Sequence, residues 1–351
     1  MSSARPGTRE VAPQHQLDAA ALGRWLSGQV ADFRGPLQLR QFEGGQSNPT
    51  FHVAAASGEY VLRKQPPGQL LASAHALDRE YRVQAALTGS GVPVPRLRGY
   101  CADPAVIGTP FYVMDYQPGR IFTNPLLPEL PRAERGAVYE AMNATLARLH
   151  AVDWRDAGLG DFGRPDGYLP RQIERWTRQY QAARVEDAPE LDELRDWLQA
   201  RVPPPDESAI AHGDYRLGNL IFAADRPEVV AVLDWELATI GHPLADLAYN
   251  CLAWHLPSDY VVAPGFVGLD LEAIGIPPEH EYVAAYARRT GRDAVPDWRY
   301  FLAFSLFRIA AIQQGVYARA LQGNAASATA RRFGDSYRLA ARIGCTLACA
   351  P

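Results

Sequence analysis

Short runs in which apolar and polar residues alternate dominate the first third of the chain, and helical three- and four-residue spacing dominates the rest. Residues 17–33 carry helical spacing and predict a leading helix. Residues 37–42, 50–56, 60–64, 96–100 and 111–116 alternate or run apolar between Gly, Ser and Pro, which predicts five strands of an antiparallel sheet. One helix, about 74–87, interrupts them. Gln117-Pro118-Gly119 is a turn signal and the candidate hinge. Beyond it, residues 131–150, 169–183 and 191–201 predict helices, the first opened by a proline. Two short strands follow, near 209–211 and 229–233, and from Asp246 on the pattern is mostly helical. A small sheet-rich part (1–116) before a larger helix-rich part (117–351) is an α+β plan with two lobes.

Composition narrows this picture. Apolar residues make up 47% of the 351, enough for a sizeable core, and the net charge of −4 gives no field to attract nucleic acid or acidic membranes. The pattern shows no run long enough to cross a bilayer, and residues 1–16 lack the apolar stretch of a signal peptide. Cys101, Cys251, Cys345 and Cys349 form no CxxC pair and no disulfide framework, so a cytoplasmic protein with reduced thiols is expected. One basic residue stands apart. Lys64 is the only lysine among 35 basic residues, and its compact ammonium makes it the first candidate for chemistry.

The central motif is His212-Gly213-Asp214-Tyr215-Arg216-Leu217-Gly218-Asn219. Phosphoryl transfer from ATP needs a carboxylate that orients the acceptor hydroxyl and takes its proton, and oxygen ligands that hold Mg²⁺ on the phosphates. Asp214, with Asn219 five residues on, supplies both on a loop between apolar strands. The apolar run before Asp234-Trp235-Glu236 would return beside that loop and offer Asp234 as a second Mg²⁺ ligand. Lys64 ends a strand and Glu80 lies on the next helix, the pairing that would set a cation on the ATP phosphates. Gly44-Gly45-Gln46-Ser47-Asn48 lies between two strands, and its backbone amides could cover the phosphates.

In these stretches, and in 60–68, 73–82, 107–116, 212–222 and 232–249, the chain resembles the aminoglycoside phosphotransferase and choline kinase group. Within it, it is most similar to the branch containing the kinase-like N-terminal domain of certain acyl-CoA dehydrogenase proteins. The resemblance implies a protein-kinase-like fold with two lobes: a small antiparallel sheet and a larger helical part. It also implies catalysis by Asp214, Mg²⁺ ligation by Asn219 and Asp234, phosphate contact by Lys64, and adenine recognition by backbone near Met114 and Tyr116. Gly213 departs from the Arg of protein kinases, and Trp235-Glu236 from their Phe-Gly. Arg216 stands where protein kinases often have Lys and is a candidate for γ-phosphate contact.

Several positions carry plainer readings. His212 reads as a buried histidine bonding backbone, and Asp246 as a helix N-cap tying the metal loop. Glu80 is either the lysine's partner or a surface helix pair, and Glu236 either a third carboxylate or a solvated strand end. For the acceptor, residues 325–351 hold Arg331, Arg332, Arg338 and Arg342 against one acid, Asp335. That disfavours a polycationic antibiotic, unless the arginines are simply a solvated helix face, and the branch suggests a hydroxylated acyl group, as in a hydroxyacyl-CoA. A small-molecule hydroxyl substrate is expected, with an antibiotic kinase or a silent nucleotide-binding module as the other readings.

Overall fold

Aromatic and β-branched residues in short alternating runs build a six-stranded antiparallel sheet in the first part of the chain. Residues 7–43, 48–66, 77–204, 207–321 and 332–349 are described in this computed structural model. The strands are β1 (Thr8–Arg9), β2 (Gln38–Phe42), β3 (Thr50–Ala55), β4 (Gly58–Lys64), β5 (Leu97–Cys101) and β6 (Phe111–Asp115), in the order β1-β2-β3-β4-β6-β5. The two-residue β1 was not expected; it is too short for alternation to register. Helix α1 (Ala19–Gln29) starts where Asp18 accepts the amides of Ala20 and Ala21 at 2.8 and 2.9 Å. Helix α2 (Leu77–Leu87) follows β4.

Alternation sorts this sheet into two faces. Phe51, Val53, Tyr60, Leu62, Phe111 and Val113 pack with Leu22 and Leu26 of α1. Val61, Tyr112 and Met114 pack with Leu77 of α2 on the other. Each fully buried Leu, Val or Phe contributes about 1.5–3 kcal/mol.

The chain divides into two compact units, one running to Gly119 and joined by Val230–Glu236, the other holding Arg120–Val229 and the chain from Leu237 on. Val230–Glu236 groups with the first unit. The second unit contains α3 (Arg132–His150), α4 (Tyr168–Ala182), α5 (Pro189–Ala200), β7 (Ala209–Ala211) and β8 (Leu220–Phe222). Strand β9 (Val229–Val232) leads out of it, and β10 (Thr239–Gly241) leads back. Then come α6 (Pro243–Asn250), α7 (Leu271–Ile274), α8 (Glu279–Arg289), α9 (Trp298–Leu321) and α10 (Phe333–Cys349). β7 pairs antiparallel with β10, Ala211 opposite Thr239, and so fixes the start of the loop that begins at His212.

Helix α9 corrects one expectation. An 18-residue window within its 24 residues reaches a mean hydropathy of 1.2, so it is long and apolar enough to cross a bilayer by length and composition. Yet 83% of that window is buried inside the protein, against α4, α5, α6 and α10. An all-round apolar helix is what the centre of a helical core requires.

Candidate active site

In the second unit, backbone and side chain converge on Asp214. Asn219 donates from Nδ2 to the Asp214 carbonyl and to its Oδ2, both at 2.8 Å. Tyr249, on α6, donates its hydroxyl to Asp214 Oδ1 at 2.6 Å. Burial and the neighbouring Asp214 charge push the Tyr249 phenol well up, so it remains a donor. Arg216 reaches Asp214 Oδ2 at 3.2 Å from a half-exposed position, where a single ion pair contributes little.

The loop beneath is pinned by Asp246. Its carboxylate accepts the amides of His212 (2.7 Å) and Gly213 (2.9 Å), and His150 Nε2 lies 3.3 Å away. Burial alone would raise its pKa; the His150 hydrogen bond and the His150 and His212 charges outweigh that and hold it below the ordinary range. Asp246 is thus not the helix N-cap expected from sequence. His242 caps α6, with Pro243 following, and Asp246 sits inside the first turn, aimed at the catalytic loop. Gly213 is held a second time, its carbonyl accepting from Arg308 of α9. It takes φ +83°, and a Cβ there would lie 2.7 Å from the Leu237 carbonyl oxygen, so the glycine is required. His212 is fully buried and accepts the Asp214 amide on Nδ1 at 3.2 Å, in keeping with its backbone-bonding reading.

In the first unit the cation facing Glu80 is Arg63, not Lys64. Arg63 Nε lies 3.3 Å from Glu80 Oε2, and its terminal nitrogens lie 3.3 and 3.2 Å from Asp234 Oδ1. Asn48 (2.7 Å) and Tyr112 (3.1 Å) complete the Glu80 carboxylate. Burial alone would weaken the Arg63 cation; Tyr112, Glu80 and Asp234 push its pKa further up instead. Burial likewise raises Glu80 against the pull of Arg63. Asp234 takes the left-handed φ of +65°, stays about one-third exposed and is followed by the turn Trp235–Leu237.

The expected Lys64–Glu80 pair fails for a geometric reason. Side chains alternate along β4, so Lys64 shares the face of Tyr60 and Leu62 that packs on α1, and Arg63 shares the face of Val61 that meets α2. Lys64 is 4% exposed, and burial lowers its pKa. Among the described residues no carboxylate pairs with it. Its charge reaches His15, whose pKa burial, then Lys64 and Arg9, hold down.

Gly44, Gly45 and Ser47, expected to cover phosphates, lie outside the described residues. Met114 is buried in the sheet, and the Tyr116 amide donates to the Glu59 carbonyl at 3.0 Å, so that N–H does not point outward. Glu236 is exposed beside the buried Trp235. Sequence reasoning missed Arg63, Tyr249, His150 and Arg308. Only Arg63 had a readable signal, the period of β4.

Beside Asp214, in the second unit, a cavity of about 140 Å³ is lined by Arg216, Tyr249, Leu252, Trp254, Leu256 and Ile309, among others. Among the described residues no carboxylate lines it, and Arg216 is its one charged side chain.

A loop aspartate clamped by an amide five residues on, with an α+β fold of a small sheet and many helices, is the arrangement expected of a kinase-like phosphotransferase. The comparisons agree: residues 38–304 match the phosphotransferase enzyme family, and the chain belongs to it. The protein is 46% identical over 330 residues to acyl-CoA dehydrogenase family member 10 of Mus musculus, matching 94% of this chain. It spans 31% of that relative and 45% of family member 11 of Gallus gallus, less than half of either. A candidate aminoglycoside phosphotransferase from Ralstonia eutropha is 45% identical, with a TM-score of 0.87 over 95% of this chain and 98% of the other. An aminoglycoside phosphotransferase in complex with ADP and hygromycin B shares the fold alone, at 16% identity, a TM-score of 0.60, and 93% and 98% coverage.

Proposed function

We propose that the chain transfers the γ-phosphate of ATP to a hydroxyl of a small molecule carried on an apolar body, such as a hydroxyacyl group or its CoA thioester, with Asp214 as base. The observation that carries this reading is the Asp214 carboxylate, held by Asn219 and Tyr249 on a loop tied at Gly213. Asp214 takes the acceptor's proton as the new oxygen–phosphorus bond forms; the bond from the γ-phosphorus to the bridging oxygen breaks and ADP leaves. Arg63 is the cation assigned to the nucleotide phosphates, fixed in direction by Glu80. Asn219 and Asp234 are each a residue whose chemistry suits Mg²⁺, which neutralises phosphate charge when bound. The donors suit it: the Asn219 nitrogen is committed to Asp214, which leaves its oxygen to ligate, and Asp234 is a part-exposed carboxylate.

The acceptor reading rests on the cavity beside Asp214. An aminoglycoside is a polycation and calls for carboxylates, whereas this lining offers aromatic and aliphatic side chains and one arginine. An ATP-consumption screen across hydroxy acids, their CoA thioesters, amino alcohols, sugars and aminoglycosides tests it. Turnover confined to the hydroxyacyl group supports the assignment, and turnover confined to aminoglycosides overturns it.

A further inference from the structure

Arg308 is 7% exposed in the middle of α9 and has a use beyond the bond to Gly213. Its guanidinium lies 4.8 Å from the ring centre of Tyr249 and 5.5 Å from that of Trp176, on α4. Arg175 lies 5.0 Å from the same Trp176 ring, on a solvent-facing position. Three further facts single this cluster out. Arg308 Nε and Trp176 Nε1 are buried N–H donors with no acceptor among the described residues. Neither Arg175 nor Arg308 has a carboxylate within ion-pair reach there. The phenol of Tyr168 faces the same charges: burial raises its pKa, and Arg308, Arg175 and Arg171 pull it back, against Asp246, which is already committed to His212, Gly213 and His150.

Two neighbouring guanidiniums repel, and buried donors without acceptors are costly. An oxyanion that accepted from Nε of Arg308 and Nε1 of Trp176, with Arg175 at its solvent side, would offset both costs. We propose that Trp176, Arg308 and Arg175 form an anion subsite that takes a carboxylate or phosphate carried by the phosphoryl acceptor. Arg308 lies against the Tyr249 ring, whose hydroxyl holds Asp214. This deepens the kinase reading and rests on it for the identity of the ligand, though not for the binding itself.

The test uses the full chain with two variants chosen to remain folded, Trp176→Phe, which keeps the ring and removes the N–H, and Arg175→Ala at the surface. Melting curves check that both are folded. Calorimetric titration with inorganic phosphate and with acetate, without nucleotide, is expected to show saturable binding weakened roughly tenfold in either variant. In turnover assays, the kcat/KM ratio of a hydroxy acid over its methyl ester is expected to fall about tenfold, through KM. Anion binding equal in wild type and variants overturns the subsite. Anion binding that responds, with an unchanged acid-to-ester ratio, overturns the acceptor as its source in favour of a free anion. Responsive binding in a chain that phosphorylates no hydroxyl sustains the subsite and removes the kinase reading instead.

Discussion

The two charged clusters solve opposite problems. In the sheet unit a buried cation, Arg63, lies between the carboxylates of Glu80 and Asp234, and an amide (Asn48) and a phenol (Tyr112) hold the Glu80 carboxylate in turn. In the helical unit an anion, Asp214, is gripped by the neutral donors Asn219 and Tyr249, and its one cationic neighbour is the half-exposed Arg216. A permanently charged fork suits standing electrostatic work on phosphates. The Asp214 carboxylate is held chiefly by neutral donors, which fix the direction of its oxygens.

The hardest blow to this contrast is Asp214→Asn. It keeps the hydrogen-bonding shape and removes the base, and kcat is expected to fall roughly 10³-fold with ATP binding retained in a thermal-shift assay. Next is the pair Arg63→Ala and Lys64→Met. Loss of Arg63 strands the buried Glu80 and is expected to cost about 3 kcal/mol in urea unfolding, together with nucleotide affinity. Lys64→Met is expected to change nucleotide affinity less than about threefold, and an ATP-derived acylating probe to leave Lys64 without ATP-protected labelling. The reverse pattern would return the phosphate role to the lysine. Tyr249→Phe removes one donor from Asp214 and is expected to lower kcat about tenfold, with KM for ATP little changed.

The smallest effect concerns acid. Because the Asp246 pKa is depressed in the folded protein, its contribution to stability is fully present above its unfolded value of about 3.8 and is lost as pH falls toward the lower folded one. Asp246→Asn is therefore expected to destabilise the protein at pH 7 and to narrow its deficit as pH drops below about 3.8. Parallel melting curves at pH 7 and 3 measure this. A deficit that widens in acid would contradict it.

Much of this was legible in advance. Strand period and turn residues placed the sheet to within a few residues, because alternation over half-buried strands is a strong signal. The spacing of Asp214 and Asn219 put both residues on one loop, but the hydrogen bond between them was not part of that reading. What failed was the choice between two adjacent basic residues. Alternation requires Arg63 and Lys64 to face opposite sides, but which side meets α2 depends on tertiary packing around Val61 and Tyr112. The rarity of lysine pulled the reading to the wrong face. Tyr249, His150 and Arg308 were missed because each reaches the catalytic loop from a distant helix, a relation that no local pattern encodes. The capping role assigned to Asp246 went astray because His242 sits at the turn with a competing acceptor.

Helix α9 bears on how such a chain is made. By length and composition alone, a 24-residue segment of this kind also meets the requirement for spanning a bilayer. Arg308 lies at its centre, where a charged residue raises the free energy of insertion by about 2.5–3.5 kcal/mol. The side chain that anchors Gly213 in the finished enzyme would thus also disfavour partition of the nascent helix into lipid.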